Sequence, residues 1–206
     1  MFQLKIHPGK TALFFLIIVV FLTMLHSVVQ VIFAFTLNET VLHISEYVDL
    51  DIEKNIPSFY SAFAILLCSL LFFCIASLEK KKQGQRRYWL GLTAVFLFLS
   101  FDEALALHEK LGDVTEKYIT STGMFQVSGL LYFPWIIPYS ILTSILGLLY
   151  VRFILNLPRK TGILLILSAI IFLTGVGLFD MLGGKEAELH GYYSTAYTLL
   201  YTIEEF

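Results

Sequence analysis

The ten residues FDEALALHEK, 101–110, place Asp102, Glu103, His108 and Glu109 at the end of an apolar run from Tyr88 to Phe101. Carboxylates and imidazoles exchange protons near neutral pH and ligate divalent metals, so they are the first groups to weigh for chemistry. Read as one continuous helix at 100° per residue, Asp102 and Glu109 fall within about 20° of each other, two turns and about 10 Å apart. Asp113 and Glu116 continue that stripe, while Glu103 and His108 project elsewhere. Two carboxylates so far apart cannot share one ion, so a metal site here needs partners from other helices.

Partners of the right type exist. His26 and Gln30 are spaced i, i+4, as are Glu186 and His190 after Gly183-Gly184, and residues at that spacing share a helix face. Asp180 and Glu204 also lie beside long apolar stretches. The expectation is therefore a site with Asp102 and Glu103 as catalytic acids and His26, His108, Glu109, Asp180, Glu186, His190 and Glu204 as metal ligands. The donor types suit zinc, iron or manganese. The ferritin-like pattern of Glu-x-x-His is not met, because the spacing at 186–190 is Glu-x-x-x-His. Two plainer readings stand beside this one. His26 is also what a core histidine bonded to a neighbouring helix looks like. Glu109, Asp113, Glu116 and Glu188 also suit a hydrated headgroup layer, paired with Lys110 or Lys185.

The elements that must position these groups are membrane helices. Hydrophobic residues make up 57% of the 206, with 19 Phe, and the mean hydropathy is +0.78, well beyond the soluble range. Runs 11–37, 59–78, 130–151 and 161–179 contain no Asp, Glu, Lys or Arg, and 88–107 is a fifth span interrupted by Asp102 and Glu103. Each is close to the roughly 20 residues that cross a bilayer core of about 30 Å. The first run is too long for a signal sequence and has no small-residue cleavage site after it, so it is read as a retained helix. Residues 191–206 would re-enter the membrane as a short sixth helix of about 24 Å, less than a full crossing. That helix is buried or re-entrant, lies along the interface, or belongs to a chain that continues. Pro134 and Pro138 predict a kink in the fourth span. The fold expected is all-α: a single transmembrane helical domain over 1–206, with five spans and the short sixth.

Orientation follows from the cations, because short cytoplasmic loops carry the excess of Lys and Arg. Lys5 and Lys10 precede the first span, Lys80, Lys81, Lys82, Arg86 and Arg87 link the second to the third, and Arg159 with Lys160 joins the fourth to the fifth. The N-terminus is thus expected in the cytoplasm of a cell with the chain in its inner, or plasma, membrane. Of 16 acids, Glu79 alone is clearly on that side, and His26, His43, His108 and His190 lie toward the other. The polar groups gather at the exoplasmic end.

Cys68 and Cys74, six apart on one helix, face different directions and cannot pair within it. Asn38-Glu39-Thr40 is a low-specificity glycosylation sequon. No phosphate-binding glycine loop, Cys-x-x-Cys, HExxH or G-x-S-x-G occurs, and nothing points to nucleic acid. The segments DLDIEKNIPSFYS (49–61), FLSFDEALALHEKLG (98–112), GLFDMLGGKEAELHG (177–191) and TIEEF (202–206) together resemble a group of uncharacterised bacterial multi-pass inner-membrane proteins. The resemblance covers most of the chain and implies no established activity. In that group a further apolar stretch follows the Glu-Glu pair, which favours a chain that continues beyond Phe206. Three functions are in play: a divalent-metal hydrolase acting on a lipid or lipid-linked substrate, a non-enzymatic subunit or sensor partnered by another membrane protein or a second copy, and a proton or cation pathway. The scarcity of ionisable groups in the cytoplasmic half argues against the last.

Overall fold

The structure, a computed structural model, describes residues 7–36, 38–79 and 83–205. Lys5, Lys80, Lys81 and Lys82, four of the cations used for orientation, lie outside the described residues. Among the described residues nine α-helices follow in order: α1 (Pro8–Thr36), α2 (Glu39–Glu46), α3 (Ile56–Leu78), α4 (Gln83–Leu105), α5 (Leu107–Thr122), α6 (Ile136–Leu155), α7 (Arg159–Leu173), α8 (Asp180–His190) and α9 (Thr195–Glu205). No strand occurs among the described residues. A π-helical segment, Thr174–Phe179, joins α7 to α8 without a break, so that 159–190 is one 32-residue rod. Among the described residues five elements are long and apolar enough to cross a membrane: α1, α3, α4, α6 and the α7–α8 rod. Their outward faces carry exposed Phe14, Ile17, Phe21, Phe63, Leu148 and Ile171, as lipid-facing surfaces do, since acyl chains are as apolar as these side chains. Cys68 and Cys74 are unpaired and share that exposed surface.

The two ends of the bundle differ. At the end bearing Arg87 and Arg152, Trp89 stacks on Phe72 and meets Phe153 edge-on at 5.1 Å, Tyr88 stacks on Phe153 at 4.8 Å, and Ala76 is buried beneath them. Aromatic pairs in these geometries add to plain area burial, so α3, α4 and α6 are clamped together here. Tyr150 Oη donates to the Tyr88 carbonyl at 3.0 Å and lies over Gly91, where a Cβ would overlap its hydroxyl.

At the opposite end the helices are held by polar contacts. The loop between α2 and α3 is pinned by Asn55: its amide caps α3 through Ser58 N–H at 3.2 Å, Ser58 Oγ accepts from Asn55 N–H at 2.9 Å, and its Nδ2 donates to the Glu46 carbonyl at 3.2 Å. This reciprocal cap satisfies the orphan donors of the first turn and fixes the segment 49–54. Asn38, the sequon residue, caps α2 through Thr40 N–H.

Three expectations are corrected. The fourth span begins at Ile136, not Leu130, because Gly129–Leu131 form a 3₁₀ turn and 132–135 pack against α8. Gly184 permits that approach: a Cβ there would stand 3.0 Å from the Phe133 ring. Pro134 precedes α6 and Pro138 lies in its first turn, where a missing N–H costs nothing, so no kink arises. The third span ends at Leu105, and the helix does not run on. Ala106, fully buried, takes a left-handed conformation (φ 50, ψ 53), after which α5 starts in a new direction. Lys110 Nζ donates to the Leu105 carbonyl at 3.0 Å, satisfying a group that the break releases. The stripe of Asp102, Glu109, Asp113 and Glu116 on one straight helix therefore does not form.

The short sixth helix packs against the bundle along one face: Tyr197 of α9 is 5% exposed and the Glu204 carbonyl lies where a Cβ on Gly175 would meet it at 3.3 Å, while Leu199 and Ile203 are exposed. Its 11 described residues span about 16 Å.

The left-handed Ala106 yields a test. A non-glycine residue there costs about 1–2 kcal/mol, which glycine avoids while paying about 0.5–1 kcal/mol in chain entropy. Ala106→Gly is expected to unfold within about 1 kcal/mol of the parent, while Ala106→Val, β-branched in a filled space, loses more than about 2 kcal/mol. Denaturation in mixed micelles measures both, and equal behaviour of the two variants would contradict the assigned break.

Candidate functional site

The turn at Ala106 changes which side chains meet. With α5 redirected, His108 swings back toward α4 and its Nδ1 lies 3.6 Å from Asp102 Oδ1. On its other side, Nε2 lies 3.5 Å from Glu53 Oε1, carried there by the pinned α2–α3 loop. The edge of Trp135 flanks the ring at a centroid distance of 5.2 Å. An imidazole is thus held between two carboxylates, one from a membrane span and one from a loop. Sequence reasoning put His108 on another face from Asp102 because it assumed an unbroken helix.

This group stands on the wall of a cavity of about 1100 Å³ enclosed by α3, α4, α5, α6, the α7–α8 rod, α9 and the loop 50–53. Nine carboxylates line it: Asp51, Glu53, Asp102, Glu103, Glu109, Asp113, Asp180, Glu204 and Glu205. Among the described residues, the lining includes no Lys and no Arg, and His108 is its one imidazole. Asp102 is 6% exposed, and its Oδ1 has no hydrogen-bond donor; Glu53 Oε2 is likewise buried without one. Buried polar atoms are nearly always paired, so two acceptors without a donor on one cavity wall, with His108 Nδ1 at 3.6 Å from one of them, stand out.

Of the expected residues, Asp102, Glu103, His108, Glu109, Asp180 and Glu204 face this cavity together. His26, Glu186 and His190 do not. His26 is buried on α1, where the Leu50 N–H donates to its Nδ1 at 3.3 Å and its Nε2 meets Tyr201 Oη at 3.2 Å. Its ring thus packs as the core histidine of the plainer reading, with Asp49 Oδ1 at 3.4 Å and Gln30 Nε2 donating to Asp49 Oδ2 at 2.7 Å. Glu186 and His190 pair with each other at 2.9 Å, as their spacing implies, on the outer surface, where Ser194 Oγ also donates to Glu186 at 2.9 Å. Glu188 accepts from the Gly129 N–H and ties the loop before α6 to α8. Among the described residues, no three His, Cys, Asp or Glu side chains are arranged to hold a metal ion as they stand.

Asp51 and Glu53 are the residues that sequence reasoning left among the loop acids. Tyr197 Oη of α9 donates to Asp51 Oδ1 at 2.6 Å, so this loop and the last helix close the site jointly. The available signal was the D-x-D-x-E spacing at 49–53 directly before the Asn55-x-x-Ser58 cap, which turns a loop into a fixed platform.

Electrostatics at the loop side follow from burial among like charges. Loss of water raises the Asp51 pKa, against the Tyr197 hydrogen bond and with the charge of Asp49 adding to the rise. Desolvation raises that of Glu53 too; His108 opposes the rise and Glu109 and Asp102 add to it. For His108 burial disfavours the charged ring, but the negative charge of Asp102 at 3.6 Å, with those of Glu53 and Glu103, outweighs it and lifts the pKa above the usual imidazole value. All three groups therefore bind a proton more tightly in the folded protein. Their contribution to stability is complete below the unfolded values and is lost as pH rises through the native ones, beginning near 6.5 for His108. The melting temperature is expected to fall between about pH 6 and pH 8, and His108→Gln to flatten that slope. Thermal unfolding across the range, with a melting point that rises toward alkaline pH, would contradict the assigned contacts.

Comparison with known proteins adds the family and nothing on activity. No curated protein and no solved structure matches the chain. A family profile matches residues 12–206, which takes in every element that builds the cavity. The chain belongs to the family described as "Domain of unknown function (DUF8692)".

Proposed function

We propose that the cavity is the site of a multi-pass membrane hydrolase that faces the exoplasm and acts on a lipid or lipid-linked substrate with the help of a divalent cation. The observation that carries this reading is the orphaned carboxylate oxygen of Asp102, 6% exposed on a cavity wall, next to His108. A charge inside a span costs at least about 2.5 kcal/mol near the centre, less toward the ends, and such groups face a partner, a cavity or a pathway. An imidazole between two carboxylates can take a proton from water and return it to a leaving group, as general acid–base catalysis requires. Within the expected metals the donor set favours manganese, since the cavity offers mainly carboxylate oxygens and a single nitrogen. A bound divalent ion would polarise the scissile carbonyl or phosphoryl oxygen. Glu103, Asp180, Glu204 and Glu205 are the carboxylates that would complete its binding, and Asp102 would orient His108.

A second reading has its own support: because no three donors already surround one point among the described residues, the acids also suit a subunit or sensor that holds no metal. Titration of the purified protein with Mn²⁺ separates the two. Saturable binding is expected, weakened about ten-fold or more by Asp102→Asn and left unchanged by Glu116→Gln, which is exposed on α5 and does not line the cavity. Absence of any saturable binding would favour the subunit reading.

The exoplasmic orientation rests on the cation bias of alternate links and on a plasma-membrane location. A tag at Gln83 is expected in the cytoplasm and one at Thr120 outside. Labelling with the reverse pattern would move the site to the cytoplasmic face and remove exoplasmic substrates from consideration.

A further inference from the structure

The cavity has two unlike ends, and this bears on what occupies it. Most of the carboxylates sit at the end formed by the loop 50–53 and the start of α5, with Glu204 and Glu205 of α9 set deeper, beside Gly175, and the wall beyond is mainly apolar, interrupted by Ser140, Thr143 and Ser144 on α6. On α4 the lining continues from Asp102 through Phe98 and Val95 to Ala94, and on the α7–α8 rod from Asp180 through Val176 to Phe172. Each stretch runs eight residues, about 12 Å at 1.5 Å per residue. On α6 it runs from Ile136 to Leu146, about 15 Å. The slot therefore reaches roughly the depth of one leaflet of a bilayer whose core is about 30 Å. Farther along α4 lies the aromatic clamp of Trp89, Phe72 and Phe153.

The volume of about 1100 Å³ lies at the upper end of small-molecule sites, far beyond what a hydrated ion needs. Among the described residues the acidic end has no Lys or Arg to neutralise it, and the Asp102 oxygen that faces it lacks a donor. These observations are independent: one concerns shape, one net charge, one an unsatisfied acceptor. Trp135, Tyr139 and Tyr201 also line that end, and aromatic faces attract ammonium groups when water is excluded.

From the slot, the unneutralised acids and the orphaned Asp102 oxygen we infer that the cavity binds a single-chain amphiphile with an ammonium head, its head among the carboxylates and its chain in the slot between α4, α6 and the α7–α8 rod. The inference rests on the reading that this cavity is the ligand site, and it names the substrate class for that site. An anionic head would meet up to nine carboxylates, while a neutral head would leave their charge uncompensated, so the discrimination is electrostatic and the chain contributes affinity. Ammonium protons would donate to Asp102 Oδ1 and Glu53 Oε2, the two acceptors without partners.

The test uses the full chain in neutral detergent, with Trp89→Phe leaving Trp135 as the sole tryptophan of the two and as reporter in the cavity. A brominated dodecylamine is the probe. Saturable quenching of Trp135 is expected, reversed by unlabelled dodecylamine, with dodecanol and dodecanoate at least about ten-fold weaker as competitors. Asp102→Asn and Glu205→Gln are each expected to weaken the probe about ten-fold, and Glu116→Gln to leave it unchanged. Two variants on different helices guard against one that misfolds. Dodecanol competing as well as dodecylamine would overturn the ammonium assignment while leaving the cavity as a ligand site. Saturable Mn²⁺ binding without probe binding would overturn the amphiphile and leave the hydrolase reading standing. Failure of both Mn²⁺ and the probe would sink the site itself.

Discussion

A carboxylate in a membrane-spanning helix has to find water, a proton or a cation, because hydrocarbon offers none of these and the cost of an unmet charge exceeds most single packing contacts. Asp102 meets this constraint through its surroundings. The break at Ala106 brings His108 to it, the capped loop brings Glu53 to His108, and α9 closes over the same space with Tyr197 bound to Asp51. The family profile covers all of them together, as expected of a unit whose parts have no separate use.

Division of labour between the ends of the bundle supports the site. Aromatic rings around Trp89 and Phe153 supply the close packing that membrane helices otherwise obtain from small residues, and they do so away from the chemistry. That leaves the acidic end free to be spacious. Interior packing in proteins normally excludes voids larger than a water molecule, so a cavity of about 1100 Å³ needs rigid walls to persist. The clamp and the tied loops provide them.

Much of this was legible in the chain. Length and apolarity alone specify five spans, because few sequences besides membrane helices keep twenty residues free of charge. The gathering of acids and histidines at one end follows from counting charges by topology. What escaped is local backbone geometry. Alanine is the best helix former, so nothing at Ala106 signals a left-handed turn, and a stop invisible in composition redirected His108, Glu109, Asp113 and Glu116 together with Lys110 and Lys117. Pro138 misled in the other direction, since a proline three residues into a helix is harmless and the start of α6 was placed too early. His26 shows the remaining ambiguity: a buried imidazole reads the same in sequence whether its neighbours are a metal or the Leu50 amide and Tyr201.

The π-helical segment before Asp180 has a consequence for how this chain tolerates changes in length. Such a segment holds wider turns than an α-helix and behaves as an extra residue slipped into a regular rod. Shortening 174–179 by one residue would restore regular winding and remain compatible with the membrane. Because a π turn advances roughly 80° per residue against 100° in an α-helix, six residues of it and five of α-helix turn the rod through nearly the same angle. Asp180 would still face the cavity and Gly184 would still face Phe133. A residue lost from the regular turns after Asp180 has no such slack and would swing Gly184 away by about 100°, so the π segment is where this rod can change length without losing the register of its acidic end.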